Sequence, residues 1–407
     1  MTHAQIPGFN ITNPYDWEVS PPVRKKTSWD LTVGFEDNFK ARSYQADEDA
    51  RGRTNIFRKR ADVLQLWQDK QDFLAALQGE DFDSQRGQLL TQFNINGNDG
   101  THGLFIPRAD LDVKNIMLST RWYLPYNVNL AFYVPVRSIK LKNIEWNKAP
   151  ENTHETFDST LINDFVSQVE NLAGINLSSA WHKKGVGDIA CRATWASNFP
   201  QMRALIRNVH LEMHIGATIP TGEHADPDML FGLPLGHDAG AGIFGGGHIG
   251  VRFGKYCTFG VDTQLHHLFG ESRRRRIKTS ADQTDLLFLS DEYSFKEPGF
   301  RQHFTVYSEL ANFGLKGLSL RCAYIHSKQH ESILFLKNHR YDAEIANTAE
   351  SLEEWTTHSI MGSFSYDMDP DEKWSLHPYL HVYLKHGFNG QRAVLSDVVG
   401  GILSIDF

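Results

Sequence analysis

The sequence predicts an all-β molecule: a closed, antiparallel transmembrane β-barrel of about twelve strands. Three observations predict it. Apolar and polar residues alternate one for one through a series of segments, each about as long as a tilted strand that crosses a bilayer. The links between segments are alternately short and long. Aromatic residues gather beside the short ones.

Composition narrows the choice. The chain has 407 residues and a formal net charge of -8, which argues against a nucleic-acid binder, since such a protein works through a basic face. Three cysteines, Cys191, Cys257 and Cys322, are too few for a disulfide framework and too far apart for a zinc motif. Mean hydropathy is only -0.41, and no stretch approaches the roughly 20 apolar residues of a membrane helix. A barrel escapes that test because only alternate residues meet lipid.

The segments follow in order. At 28–36, Trp29, Leu31, Val33 and Phe35 share a face. At 115–124 the set is Ile116, Leu118, Thr120, Trp122 and Leu124; at 127–137 it is Val128, Leu130, Phe132, Val134 and Val136. Ile189, Cys191, Ala193 and Trp195 define 187–196. The clearest case is Val209–Ile219, where Val209, Leu211, Met213, Ile215, Ala217 and Ile219 alternate with His210, Glu212, His214, Gly216 and Thr218. Further sets fall at 243–253, 257–269, 302–311, 317–325, 358–366 and 374–385, and 398–407 is the last.

Tight links are expected near Pro125, Pro200, Lys255, Gly314 and Pro370, and long ones at 37–108, 140–186, 221–239, 270–296, 327–354 and 386–397. With twelve strands both termini then lie on the short-turn, periplasmic side. Trp122, Tyr126, Trp195, Phe253, Tyr256, Phe313, Tyr366 and Trp374 flank short turns and read as an interfacial girdle. Two short helices interrupt the pattern within long links. One is expected over 61–79, with a Val63, Leu66, Trp67, Phe73, Leu74, Leu77 stripe closed by Gly79, as a lumen plug or an outer-rim cap. The other falls at 160–172. Residues 1–27 are expected to form an irregular periplasmic arm, and 28–407 the barrel, with the helix-containing insert at 37–108.

Hydrocarbon offers no partner for a free sheet edge, so the sheet must close. The face opposite the apolar one then lines a lumen. Its candidate residues are Arg121, Arg137, Arg192, His210, Glu212, His214, His248, Arg252, Asp262, Gln264, His266, Arg321, His377, His381 and Lys385, joined by His303, Glu309 and Tyr379. A wet pore accepts such a set, whereas a dry core would need a partner for each charge.

The C-terminal Ile402-Leu403-Ser404-Ile405-Asp406-Phe407 ends on Phe with apolar residues two and four places earlier. It resembles the assembly signal of Gram-negative outer-membrane barrels. Gly185-Val186-Gly187-Asp188 before a strand, and Ile219-Pro220-Thr221-Gly222 after one, are similar to porin-like and FadL-type proteins. The resemblance implies location in the bacterial outer membrane and contact with its lipid and lipopolysaccharide. It also implies handling by the barrel-assembly machinery through Phe407. No charged n-region and apolar h-region follow Met1, so export implies a signal peptide outside this sequence. The chain departs from the FadL type in having about twelve strands and no clear N-terminal plug.

The expected role is a pore or transporter for small polar or anionic solutes, with no cofactor, no metal and no nucleic-acid partner. The alternative is a structural or binding barrel whose loops meet lipopolysaccharide or a partner. Arg273, Arg274, Arg275 and Arg276 form a basic run at an outer strand end, suited to phosphates or to drawing in anions. His210, Glu212 and His214 share a face, but a metal would need ligands from a neighbouring strand as well. An outer-membrane hydrolase is a lesser alternative, and catalysis is not expected, because Ser359 and Ser363 sit in no nucleophile motif.

Overall fold

The computed structural model describes residues 28–46, 60–78, 85, 88, 103–150, 159–312, 314–338, 340–371 and 373–407. The expected 1–27 arm and Phe313 lie outside the described residues, as does Gly79. Twelve strands form the wall: β1 (Trp29–Tyr44), β2 (Leu104–Leu124), β3 (Val128–Lys148), β4 (Ile189–Pro200), β5 (Ile206–Ile219) and β6 (Gly242–Phe253). They continue as β7 (Cys257–Leu268), β8 (Arg301–Ala311), β9 (Leu318–Gln329), β10 (Trp355–Asp367), β11 (His377–Gln391) and β12 (Ala393–Asp406). Every neighbour is antiparallel and next in sequence, except at the seam. There β1 pairs with β2 on one side (Trp29 opposite Trp122) and with β12 on the other (Asp30 opposite Asp406). That double pairing closes the sheet, as a wall in lipid requires.

Exposure follows the pleat. In β7, Phe259, Val261 and Leu265 are exposed on the outer face, while Gln264 and His266 on either side of Leu265 are 1% exposed. The same outward band runs around the wall through Leu31, Phe35, Ile116, Leu118, Phe132, Met213, Ile215, Ile249, Val306, Ile360, Phe364, Leu384 and Leu403. Water alone would penalise so broad an apolar waist at roughly 25 cal/mol per Å². A bilayer removes the penalty.

Short turns join β2–β3, β4–β5, β6–β7, β8–β9 and β10–β11 at one end, where both chain ends of the wall also lie. In the first of them Tyr126 and Asn127 take φ of 65° and 63°, the left-handed pair that matches the twist of a hairpin. Trp122, Tyr126, Trp195, Tyr256 and Trp374 are exposed at this end. Trp29 stacks on Phe407 with ring centroids 4.1 Å apart, and Phe407 N–H donates to Trp29 O at 2.9 Å. The last residue thus latches the seam.

The opposite end holds the long links, though several are shorter than expected: β1 runs on to Tyr44 and β2 starts at Leu104 within 37–108, and β3 runs on to Lys148 within 140–186. Residues 386–397, expected as a loop, continue β11 and β12, and Arg392 alone turns the chain at φ 47°. Above the membrane a strand needs no apolar alternation, so its polar sequence reads like a loop. A second correction concerns 61–79. In place of one helix there is a 3-10 turn at Val63–Gln65, a two-residue strand and a single helical turn at Phe73–Ala76. Asp62 and Asp72 each accept backbone N–H groups two residues on and restart the chain. The stripe is also buried from several sides, with Leu64, Leu66 and Phe73 at 0% exposure. The second helix, Ser159–Ala173, matches its expectation and stops at Gly174, whose φ is 61°. Strands Glu271–Ile277, Ser290–Glu297 and Ile333–Leu336 form a separate three-stranded sheet on the outer side.

Candidate functional site

The interior is layered. At the short-turn end a cavity of about 500 Å³ is lined mainly by polar groups from β5 to β9 and β11. His210, His248, Arg252, Tyr307, Glu309, Arg321 and Tyr379 face it. Arg321 holds Glu309 at 2.8 Å, and its guanidinium lies 3.9 Å from the centre of the Tyr307 ring. Tyr307 Oη in turn meets His248 Nε2 at 2.8 Å. On the adjoining wall Asn198 Oδ1 accepts from Asn208 Nδ2 at 2.9 Å and lies 3.1 Å from His210 Nδ1.

Above this cavity the inner wall is mixed, polar and apolar. Met117, Tyr133, Phe244, Tyr307, Ile325, Met361, Tyr383 and Ile402 point inward and form one buried cluster. Two aromatic members lie across glycines of the adjacent strand: Tyr307 over Gly260, Tyr383 over Gly400. A Cβ at either glycine would overlap the ring. The sequence predicts a polar lumen; this belt sets apolar and aromatic groups among the polar ones. Inward positions of a small barrel fill with side chains as well as water.

Further out, Asp188 before β4 accepts Gly222 N–H at 2.9 Å and His237 N–H at 2.7 Å, and lies 2.8 Å from His237 Nδ1. This pins the 220–241 link against the wall. Burial pushes His237 down to about 4, against the Asp188 carboxylate working the other way. Burial raises the Asp188 carboxyl, but the His237 side chain and the backbone donors of His237 and Gly222 outweigh it and leave it below its usual range. The His266 ring lies 5.0 Å from His237.

The outer mouth carries a roof. Leu64, Leu66, Trp67, Phe73, Leu74 and Leu77 pack with Leu230, Phe231, Leu233, Leu235, Leu286, Leu287 and Leu289 against inward-facing Leu111, Val113, Ile139 and Leu141. Gln283 Nε2 donates to Ala76 O at 3.3 Å and Gln78 O at 3.0 Å, tying two links together.

The expected lumen residues divide between these layers. His210, His248, Arg252 and Arg321 line the cavity. Glu212, His214, Gln264, His266 and His381 are buried on inward faces, and Asp262 and Lys385 are half-buried there. Arg121 lies 3.7 Å from Asp30, Arg192 lies over the Tyr133 ring at 5.5 Å, and Arg137 is 1% exposed. His303 bonds Ser327 at 2.8 Å. His377 opens β11 and is tied to the preceding turn: its Nδ1 meets Asp369 Oδ2 at 2.7 Å.

The basic run is also corrected. Arg273–Arg276 lie on a strand, and their charges are engaged. Arg273 pairs with Asp238, Arg274 with Asp228 and Asp291, and Arg276 with Asp228. Arg275 donates to Ser294 O at 2.7 Å and Arg276 to Leu289 O at 2.6 Å. Ser359 and Ser363 are buried on the inner face of β10.

A closed wall with an apolar waist, its first and last strands meeting on the short-turn side, is what lipid requires of a spanning sheet. The molecule is an outer-membrane β-barrel. Among solved structures it is similar to an outer-membrane channel from Pseudomonas putida F1, which covers 96% of this chain and 100% of that one at 11% identity and a TM-score of 0.49. It is also similar to the NanC porin, with 74% and 98% covered, 9% identity and a TM-score of 0.31. The Pseudomonas putida toluene transporter TodX gives 93% and 89% covered, 10% identity and a TM-score of 0.31. No protein-family model matches the barrel's sequence, and no curated protein does.

Proposed function

We propose that the barrel is a transporter for small polar or anionic solutes, closed at its outer end by its own links at rest. One observation carries this reading. A polar cavity at the inner end and an apolar roof at the outer end share a single barrel, so the roof separates the cavity from the outside. His210, His248, Arg252 and Arg321 give that cavity cationic and hydrogen-bonding groups suited to an anion. The Arg273–Arg276 strand has a holding role here, because its guanidiniums are taken up by carboxylates and carbonyls. Phe407 serves assembly as the seam latch and as the C-terminal signal.

Planar-bilayer recording tests the reading. The intact chain should give small or infrequent conductance steps, and a chain with 60–78 replaced by a short Gly/Ser linker should give larger ones with anion preference. Unchanged conductance would reject the roof as the closing element. The second reading, a structural barrel, draws on the buried belt of Met117, Phe244, Tyr307 and Tyr383. It expects no conductance from either chain.

A further inference from the structure

We propose that His210, Glu212 and His248 form a binding site for one divalent transition-metal ion of the zinc type, on the inner wall beside the cavity. The site does not depend on the transport reading. His210 and Glu212 are alternate residues of β5 and share its inner face; His248 on β6 is the cross-strand partner of Glu212. One donor atom from each of the three lies within 4.8 Å of the other two. Around tetrahedral zinc, with bonds of about 2.0–2.2 Å, donor atoms stand about 3.3–3.5 Å apart. Small side-chain rotations close that difference without moving the backbone.

Two neighbours already hold the imidazoles as ligands. Asn198 Oδ1 accepts from Asn208, so the atom facing His210 Nδ1 is an acceptor, and the imidazole proton belongs on Nδ1. The Nε2 lone pair is then left 3.9 Å from Glu212 Oε2. A ring nitrogen and a carboxylate oxygen stand there side by side, each of a type that binds zinc. His248 is held by Tyr307 Oη at 2.8 Å. If Nε2–H donates to the phenol oxygen, Nδ1 is the metal ligand. Such outer contacts commonly orient metal-binding histidines. Of the cavity's arginines, Arg321 is engaged by Glu309 at 2.8 Å.

Two imidazoles and one carboxylate favour zinc, cobalt, nickel or copper over calcium and magnesium, which prefer all-oxygen shells. Three protein ligands leave a fourth position, and His210 and His248 border the cavity of about 500 Å³. That position would take water or an anionic solute.

The test is metal titration of the full-length barrel folded in detergent, with a chromophoric zinc chelator as competitor. One zinc per chain is expected. His210→Ala and His248→Ala should each weaken binding at least about 10-fold, as should Asn198→Ala through loss of its orienting contact. His386→Ala, at an exposed site paired with Asp397, should leave binding unchanged. Cobalt bound to the unaltered protein should show the intense visible absorption of a four-coordinate site, and zinc X-ray absorption should report about two imidazoles. Those two measurements decide the matter if a variant does not fold. Absence of stoichiometric binding by folded protein, binding that survives the His210/His248 double variant, or an all-oxygen shell would overturn the proposal.

Discussion

Direction along each strand is set residue by residue, by the solvent on either side of the wall. Val261 lies mid-strand on the lipid face, and its neighbour Asp262 points inward. Val261→Arg should cost about 2–4 kcal/mol of folding free energy in lipid vesicles, against a small loss for Val261→Ala. Equal losses would place that face out of hydrocarbon. At the outer end, Asp188 and His237 carry a pH dependence. The His237 imidazole titrates near 4 in the fold, against about 6.5 when exposed. Between those values the released link binds a proton that the docked link refuses. Docking of 220–241 should therefore be intact above pH 6.5 and weaken as pH falls towards 4. The lowered Asp188 pKa adds stability that is lost only at still lower pH. Limited proteolysis across pH reads the effect, and His237→Gln should flatten the upper part of the window. The outward residues were legible because period two shows them directly. The Asp188–His237 pair was not, since 49 positions separate its members and neither shows a motif.

Elements behave differently on the two sides of the membrane. Inside the bilayer, each strand must satisfy lipid on one face, and the expected segments match the wall. Outside it that demand vanishes, which is why β11 and β12 run through a stretch that reads as a loop. The roof fails as a helix for a related reason: Asp62 and Asp72 offer the backbone side-chain acceptors, and the apolar stripe is enclosed by several links. Gln283 is the tie between two of these links. Gln283→Ala would strip hydrogen-bond partners from Ala76 and Gln78 in a buried setting, at about 1–3 kcal/mol of local stability. Hydrogen exchange should then rise at 73–78 with the wall strands unchanged. The three-stranded outer sheet depends on Arg276, whose guanidinium reaches Pro227 O, Leu289 O, Ala173 O and Asp228. Arg276→Met should loosen the outer links more than Arg274→Met, because Arg274 is exposed and exposed pairs contribute little.

For the whole molecule, closure is cooperative: β1 contributes pairing to both β2 and β12, so the barrel forms entire or not at all. The folded protein should resist unheated detergent and shift in gel mobility on boiling. Phe407→Ala, which removes the Trp29 stack, should slow assembly more than it changes the folded product, as read by the rate of that mobility shift. Interior layering is a property of this scale as well. The cavity, the aromatic belt and the roof each draw on strands or links far apart in sequence.

The sequence by itself determined the strand pattern, the sidedness of the links and the apolar waist, because a two-faced strand repeats a local rule at every second residue. Tertiary structure alone decided what fills the inside. Tyr307 meets Gly260, His248 meets Glu212, and Leu64 and Leu286 join one buried cluster through closure of the wall and folding of the links across it. Inward positions answer to whatever stands across the barrel, and that neighbour is written in no local pattern.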